Sequence, residues 1–416
     1  MGVLKFSIKM LNLVAKESIF YFVSIIISMA IIYNSLNIVV SDNILGARGI
    51  DNQVITNIPF FLALLICVFT FYANSYFVIN KTKELAIAAL CGISSGELTG
   101  YFLVQNFVIE ILGGFFGIIL GILIQPIYIE ILYKYLSING SVWLINKETI
   151  FGALGILLLQ LLYITAGDFA YISSKEIKFL MTLEKQVYTP DTRKIKVNNK
   201  LYLIVYCIPF VTVFLGVNII PLDMACSIYS IYGIVRYYIP NKLLDIKEKK
   251  YSGNKIYLVS LSNLYYSLKR LTFLILILSS VIPVVLGLLM INKGSSVIKI
   301  MSIFTYCSII VLIAVCMVYK LLIEANNRMS SFKNLLLIGY TKAEVKKVIF
   351  SEIILFYCIA AIMPLLHVLV YVFIFKAANY ITISIGLGLI LSFVLMFGIT
   401  ELISYRAYKN CVFSTI

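Results

Sequence analysis

Ten long apolar stretches run along this chain, at roughly 18–40, 58–79, 100–124, 150–172, 201–219, 222–238, 271–291, 300–322, 348–374 and 380–403. About 20 apolar residues are enough to cross the hydrocarbon core of a bilayer. No water is available there, so the backbone must bond to itself, and only helices or closed barrels satisfy that demand. Runs this long and continuous predict an all-α polytopic membrane protein with about ten transmembrane helices. The composition leaves little alternative: 61% of the 416 residues are hydrophobic, 13% are charged, and mean hydropathy is +1.00, too little polar surface to clothe a soluble globule. The run 222–238 carries Asp223 and Arg236 near its ends, so it either spans or forms a re-entrant hairpin with the run before it.

Charge placement supports the count. With the N-terminus inside, only Arg48, Lys134, Lys147, Lys293, Lys299 and Lys376 of the 34 Lys and Arg fall outside, which leaves 28 inside. That bias follows the positive-inside rule. The parity also survives if the fifth and sixth runs do not cross, so eight helices fit as well. The net charge of +15 then reflects topology and anionic headgroups, and no aromatic-basic module points to nucleic acid. All eight cysteines fall in spans or inside, where they read as small buried residues rather than disulfide partners. The first span has no small-residue cleavage site after it and reads as a retained anchor.

The pattern is also written twice. Asn12-Leu13 opens a span, a second span follows, then a basic turn containing Gly92, then two more spans; the order recurs from Asn263-Leu264 to Gly339. Asn12 and Gly92 lie 80 residues apart and Asn263 and Gly339 lie 76 apart. Duplicated membrane units usually pack about a pseudo-two-fold axis. The predicted organisation is a first four-span module over 1–175, a linker and two-span insert over 176–250, and a second four-span module over 251–416.

The two inside turns carry the functional signal. In Asn80-Lys-Thr-Lys-Glu-Leu-Ala-Ile-Ala-Ala-Leu-Cys-Gly, residues Leu85, Ala88 and Gly92 share helical spacing beside Lys81, Lys83 and Glu84. Gly92 suits a helix C-terminus, while Ser94 or Ser95, with Glu97 in the first turn, can cap the next helix. The second copy places Arg328, Phe332, Leu335, Gly339 and Glu344 in the same order. A short helix under the membrane with one apolar and one basic face suits docking into a groove on a soluble partner, or rests on lipid.

Lys83-Glu84, the Ala/Leu-rich stretch after it, Gly92, Ser94 and the glycines of the third span (Gly113-Gly114, Gly117, Gly121) resemble the FtsX-like permease domain of ABC transporters. The four-two-four layout resembles the bacitracin-resistance type, in which one chain supplies both modules. Two departures stand out. Only about Asn292 to Lys299 joins spans seven and eight, where that type carries a large outside domain, and Ser330-Ser331 stand where the first copy has Lys83-Glu84.

The resemblance implies a permease without catalytic residues, metal or cofactor of its own, in a bacterial plasma membrane with both termini cytoplasmic. It implies a separate ABC ATPase, a homodimer binding ATP and Mg, seated under Lys81–Leu90 and Arg328–Ile338. It further implies export, removal or sensing of membrane-acting peptides such as bacitracin or lantibiotics, or of lipid-linked compounds. The alternative is a non-transporting protein that works a sensor histidine kinase or a cell-wall hydrolase. An ion-driven transporter is disfavoured by the scarcity of acids near the midplane. The chain has no Gly-x-x-x-x-Gly-Lys-Ser/Thr phosphate loop.

Intramembrane polar residues complete the inventory. Glu110 and Gln160 fall at similar depth on antiparallel spans, where they either hydrogen-bond to each other as a structural lock or serve gating or proton coupling. Asp168, Arg236, Lys320, Glu352 and Glu401 lie near inside ends and can snorkel. His367 reads as a packed neutral imidazole. The glycine run invites close helix approach. Outside, Tyr128, Tyr133 and Trp143 either anchor at the headgroups or wall an outward cavity. The basic segments 173–200 and 241–255 read as solvated linkers within reach of the ATPase or a kinase.

Overall fold

The computed structural model describes residues 15–41, 52–81, 87, 90–137, 140–143, 145–173, 199–212, 220–269, 272, 275–276, 296–379 and 381–413. Among these residues every regular element is a helix, as the apolar runs require. Six helices are long and apolar enough to cross a membrane: Ser18–Val40, Gly96–Lys134, Lys147–Ser173, Lys299–Asn327, Lys342–Ala377 and Ile383–Phe413. Shorter apolar helices occupy Pro59–Ser75 and Lys200–Thr212. Most of the expected seventh span, 271–291, lies outside the described residues.

Two compact units form: Met1–Val187 with Ser295–Met301, and Tyr188–Gly294 with Ser302–Ile416. The first holds α1 (Ala15–Val40), α2 (Asn52–Asn80), α3 (Ser95–Leu136) and α4 (Lys147–Ser173). Its principal seam joins α1 and α3, and the glycines make it possible. A Cβ on Gly117 would fall 2.6 Å from Met29 Cβ and 2.8 Å from the Ile26 carbonyl oxygen; one on Gly121 would fall 2.9 Å from the Tyr33 ring. Gly113 meets Ile25 in the same register, whereas Gly114 faces α4 at Leu157. Close approach lets two backbones gain van der Waals contact where lipid offers no hydrophobic drive.

The third span is longer than the sequence suggests. Its helix continues past the expected end at 124, through Pro126 to Leu136, so the stretch expected outside that carries Tyr128 and Tyr133 is helical. At 42 residues, α3 is about 63 Å long, roughly twice the hydrocarbon thickness. Leu123, Ile127 and Ile131 of α3 and Phe151, Leu158 and Leu162 of α4 are exposed. In water such a surface would aggregate; in a bilayer it is the lipid face.

In the second unit, α5 (Asn199–Thr212) packs against α6 (Ile220–Gly233), which runs through a π turn at Ile234–Tyr238 into α7 (Ile239–Lys250). A Cβ on Gly233 would clash with the Tyr202 ring at 2.0 Å. The expected linker at 241–255 is therefore helical to Lys250, with Pro240 and Leu243 buried. Residues 255–269 are helical as well. α8 (Ser296–Asn327) enters this unit at Ser302, and α9 (Met329–Leu337), α10 (Lys342–Ala377) and α11 (Ile383–Phe413) complete it. All eight cysteines are free thiols, and Cys91, Cys207 and Cys358 are exposed rather than buried as the sequence suggested.

Gly117→Val should force α1 and α3 apart, because the obstacle is backbone oxygen that cannot rotate away. The expected loss is about 1–3 kcal/mol, read as a lower unfolding temperature in detergent. Gly155→Ala, with nothing within 4 Å of the new Cβ, should leave that temperature unchanged; equal losses in both would contradict the seam.

Candidate functional site

The two basic turns share a glycine in the left-handed region and a capping box. In the first, Ile87 and Leu90 are helical, Gly92 turns the chain at φ +86°, and Ser94 caps α3. The Glu97 N–H donates to Ser94 Oγ at 3.3 Å, and the Ser94 N–H donates to the Glu97 carboxylate at 3.0 Å. In the second, α9 ends at Gly339 with φ +104°, and Thr341 caps α10 through the same reciprocal bonds with Glu344, at 3.2 and 2.9 Å. The Gly339 N–H reaches the Leu336 carbonyl and the Tyr340 N–H reaches that of Leu335, closing the orphan carbonyls of α9. Positive φ excludes side chains other than glycine without strain. A left-handed glycine followed by a capping box fixes the angle at which each short helix passes into its span.

A cation precedes each glycine by the same 11 residues, Lys81 and Arg328. Each bonds to the residue 24 positions on. Lys81 Nζ donates to Gln105 Oε1 at 2.6 Å and lies 4.2 Å from the centroid of Phe77. Arg328 Nη1 donates to Glu352 Oε1 at 2.6 Å, Nη2 donates to Ser267 Oγ and the Asn263 carbonyl at 3.1 Å each, and the guanidinium pairs with Glu324. Phe77 and Glu324 stand four residues before their cations. Asn263 Nδ2 and Ser267 Oγ also donate to Glu352, at 3.0 and 3.1 Å. Burial works against charge on Arg328, but the Glu324 and Glu352 carboxylates more than offset it, raising its pKa and keeping it charged.

The faces left open are apolar. Leu90 is 60% exposed, and its counterpart Leu337 is 85% exposed beside Ile338 at 76%. Ile87 is exposed as well. Each tip lies one or two residues before the turning glycine.

Residues 57–177, just under a third of the chain, match the family model described as FtsX-like permease C-terminal. The match is to an FtsX-like permease. It supports an ABC transporter permease subunit, a multi-pass membrane protein that has no ATPase of its own and works with an ABC ATPase. The matched segment runs from α2 through the first turn to the end of α4, so it contains Gly92 and its capping box. No match was found among curated proteins.

Several sequence expectations change in this light. Lys81, expected on an open basic face, is 2% exposed and holds α2 to α3. Phe332 faces inward, edge-on to Tyr408 at 6.0 Å, and Leu335 is half-buried. Lys83, Glu84, Leu85 and Ala88 lie outside the described residues. Glu352, Asp168 and Lys320 do not snorkel; all three are buried. The Asp168 carboxylate accepts from Asn74 Nδ2 at 2.6 Å and Asn106 Nδ2 at 2.8 Å, tying α2, α3 and α4 together.

The bond between Glu110 and Gln160 is not formed. Glu110 Oε1 accepts instead from the Tyr21 hydroxyl at 3.3 Å. Tyr133 is buried and Tyr128 donates to the Asn34 carbonyl at 3.3 Å, so of the three aromatic candidates only Trp143 is exposed. His367 is packed, with Nδ1 3.1 Å from the Met363 carbonyl and 3.3 Å from the Tyr206 hydroxyl, and Nε2 3.4 Å from Ser227 Oγ. Among the described residues no group of His, Cys, Asp or Glu is placed to hold a metal ion.

Sequence reasoning missed Gln105, the anchoring role of Glu352, and the tips Leu90, Leu337 and Ile338. The signal was present in the equal spacing from each cation to its acceptor and from each tip to its glycine.

Arg328→Met should cost about 3–5 kcal/mol, because it strands two buried carboxylates. Adding E324Q and E352Q should return most of that loss, measured as unfolding temperature in detergent. A triple variant less stable than R328M would refute the ion-pair hub.

Proposed function

We propose that this chain is the transmembrane half of an ABC transporter whose ATPase drives it through two levers, Lys81–Leu90 and Arg328–Ile338. The observation that carries this reading is the repeated geometry of the turns: left-handed glycine, capping box, anchored cation and apolar tip at equal spacing in both copies. One such turn could be an incidental interfacial helix. Two built to one plan suit a two-fold motor, an ATPase homodimer with a protomer under each lever. The ATP and Mg belong to that partner, and the turns and both termini face the cytoplasm in keeping with the charge bias.

The anchors and the tips divide the work. Lys81 and Arg328 fix the base of each lever to the helix it must move, while Leu90, Leu337 and Ile338 present apolar surface for a groove on the motor. Closure of the ATPase on ATP then shifts a two-state element rather than deforming a soft one. The rigid helices α3 and α10 carry the shift to the far face of the membrane. The substrate class that suits an apolar exterior and a long outward extension is a membrane-acting peptide or a lipid-linked compound. Export, extraction and signalling to a sensor kinase all use these mechanics.

Gly92→Pro should abolish ATPase stimulation while leaving insertion and folding intact, because proline cannot adopt positive φ. Leu90→Asp with Leu337→Asp should lower copurification of the ATPase at least about tenfold, the loss of about 1.4 kcal/mol of docking energy. Normal stimulation in Gly92→Pro would refute the lever assignment. Antibiotic susceptibility of a strain lacking the chain separates peptide protection from a role in signalling alone.

A further inference from the structure

At the end of the first unit away from Gly92, buried polar atoms gather where α1, α3 and α4 meet. The Tyr33 hydroxyl, Asn34 Oδ1, Ser41 Oγ and Thr149 Oγ1 are all buried, and none of these atoms makes a hydrogen bond. Three contacts place Tyr33, Asn34 and Thr149 along one seam, and Ser41 follows the last residue of α1. The Tyr33 ring packs on Gly121 of α3, the Tyr128 hydroxyl of α3 donates to the Asn34 carbonyl at 3.3 Å, and Leu36 lies 3.3 Å from the Cβ position of Gly152, one turn from Thr149 on α4. Unbonded polar groups in a dry interior are expensive and normally find partners. A seam that leaves four of them without a protein partner suits a state in which something else bonds to them.

We propose that this seam is a cleft, closed in this structure, that opens to take an uncharged, hydroxyl-rich headgroup carried by a lipid, such as a glycosyl group. The donor set selects the chemistry. Asn34 Oδ1 only accepts, while three hydroxyls both accept and donate, so the matching ligand must donate from several positions and accept as well. None of the four residues is charged. The charged pair further along α3, Glu130 and Lys134, is exposed and bonded to itself at 2.7 Å, and Lys147, two residues before Thr149, is exposed rather than buried in the seam.

The ligand is lipid-borne because the seam lies within helices that cross the membrane, beside the exposed apolar residues Leu123 and Ile127. Opening rests on the lever reading above, since α3 runs unbroken from the Ser94 cap to this seam.

The test uses the full chain assembled with its ATPase in vesicles of phosphatidylglycerol, with or without glucosyl diacylglycerol. Asn34→Cys, Ser41→Cys and Thr149→Cys are probed with a membrane-impermeant maleimide added at the face opposite the levers. The unsubstituted chain serves as the baseline and Leu123→Cys as the lipid-facing control. Labelling should rise at least about fivefold during ATP turnover, and glucosyl lipid should slow it by at least about fivefold. Free glucose should not slow it.

Nucleotide-independent labelling in a complex whose ATPase is stimulated would overturn the cleft while sparing the levers. Loss of stimulation in the parent complex would instead overturn the levers. Equal labelling with and without glucosyl lipid would mean that water alone enters, and protection by free glucose would mean a soluble ligand; either overturns the proposal. A measurement in the complex held by a non-hydrolysable ATP analogue stands beside these: glucosyl lipid in micelles should raise the unfolding temperature of the parent complex but not of the Thr149→Val complex. No rise in the parent would also overturn it.

Discussion

The whole structure answers to one constraint: within the membrane a polar group must be bonded by the protein itself or carry its cost. The first unit meets it with amides, as Asn74 and Asn106 hold the Asp168 carboxylate across three helices. The second unit meets it with ions, as Arg328 gathers Glu324, Glu352, Ser267 and the Asn263 carbonyl. Both solutions sit at the base of a lever, where the chain leaves the hydrocarbon. Desolvated charge holds its geometry tightly, because any departure exposes an unpaired ion to a medium that cannot solvate it.

The two proposed levers therefore share the spacing of cation, glycine and capping box but not a chemistry. Phe77 stands where the second copy has Glu324, and Gln105 where it has Glu352. Lys81 lies against a ring and an amide oxygen, contacts that tolerate sliding better than a charge-assisted pair with directed bonds on both carboxylate oxygens. The spacing is the same in the two copies while the partners differ. Lever geometry is set by where the cation and the glycine stand; its stiffness is set by what the cation meets.

Much of this was legible before the coordinates. Apolar length gave the helices, and Gly92, Gly339, Glu97 and Glu344 gave the turns, because a positive φ and a capping box are written in single residues at fixed offsets. The glycine face of α3 was legible for the same reason. What could not be read was which way a side chain points. Lys81 and Phe332 looked like the open and docking faces of their levers, yet both turn inward, because Lys81 meets Gln105 and Phe332 meets Tyr408, partners that are remote along the chain. Glu110 and Gln160 sit at matching depth, but depth does not fix rotation about a helix axis, and Glu110 turns toward Tyr21 on α1. Glu352 looked free to snorkel because its partner Arg328 is remote along the chain and only the fold brings it near. The end of α3 was misplaced because the helix continues through Pro126 to Leu136, where the apolar run alone marked only its first part.

Transmission over the thickness of a bilayer needs a body that does not absorb the motion it carries. A loop would absorb it, and so would a helix broken at Pro126. α3 does neither: its first residue follows the capping box and its last turn lies past the seam with α1. The close glycine contacts on that seam leave no slack between α1 and α3 from Gly113 to Gly121, so a tilt imposed at Ser94 has nowhere to dissipate until the glycines end. Beyond Gly121 the packing changes from glycine against backbone to tyrosine and amide side chains. There the Tyr128 hydroxyl of α3 donates to the Asn34 carbonyl of α1 and several buried polar atoms have no protein partner; on the proposed lever reading, a rod tilted from one end parts from its neighbour at that point first.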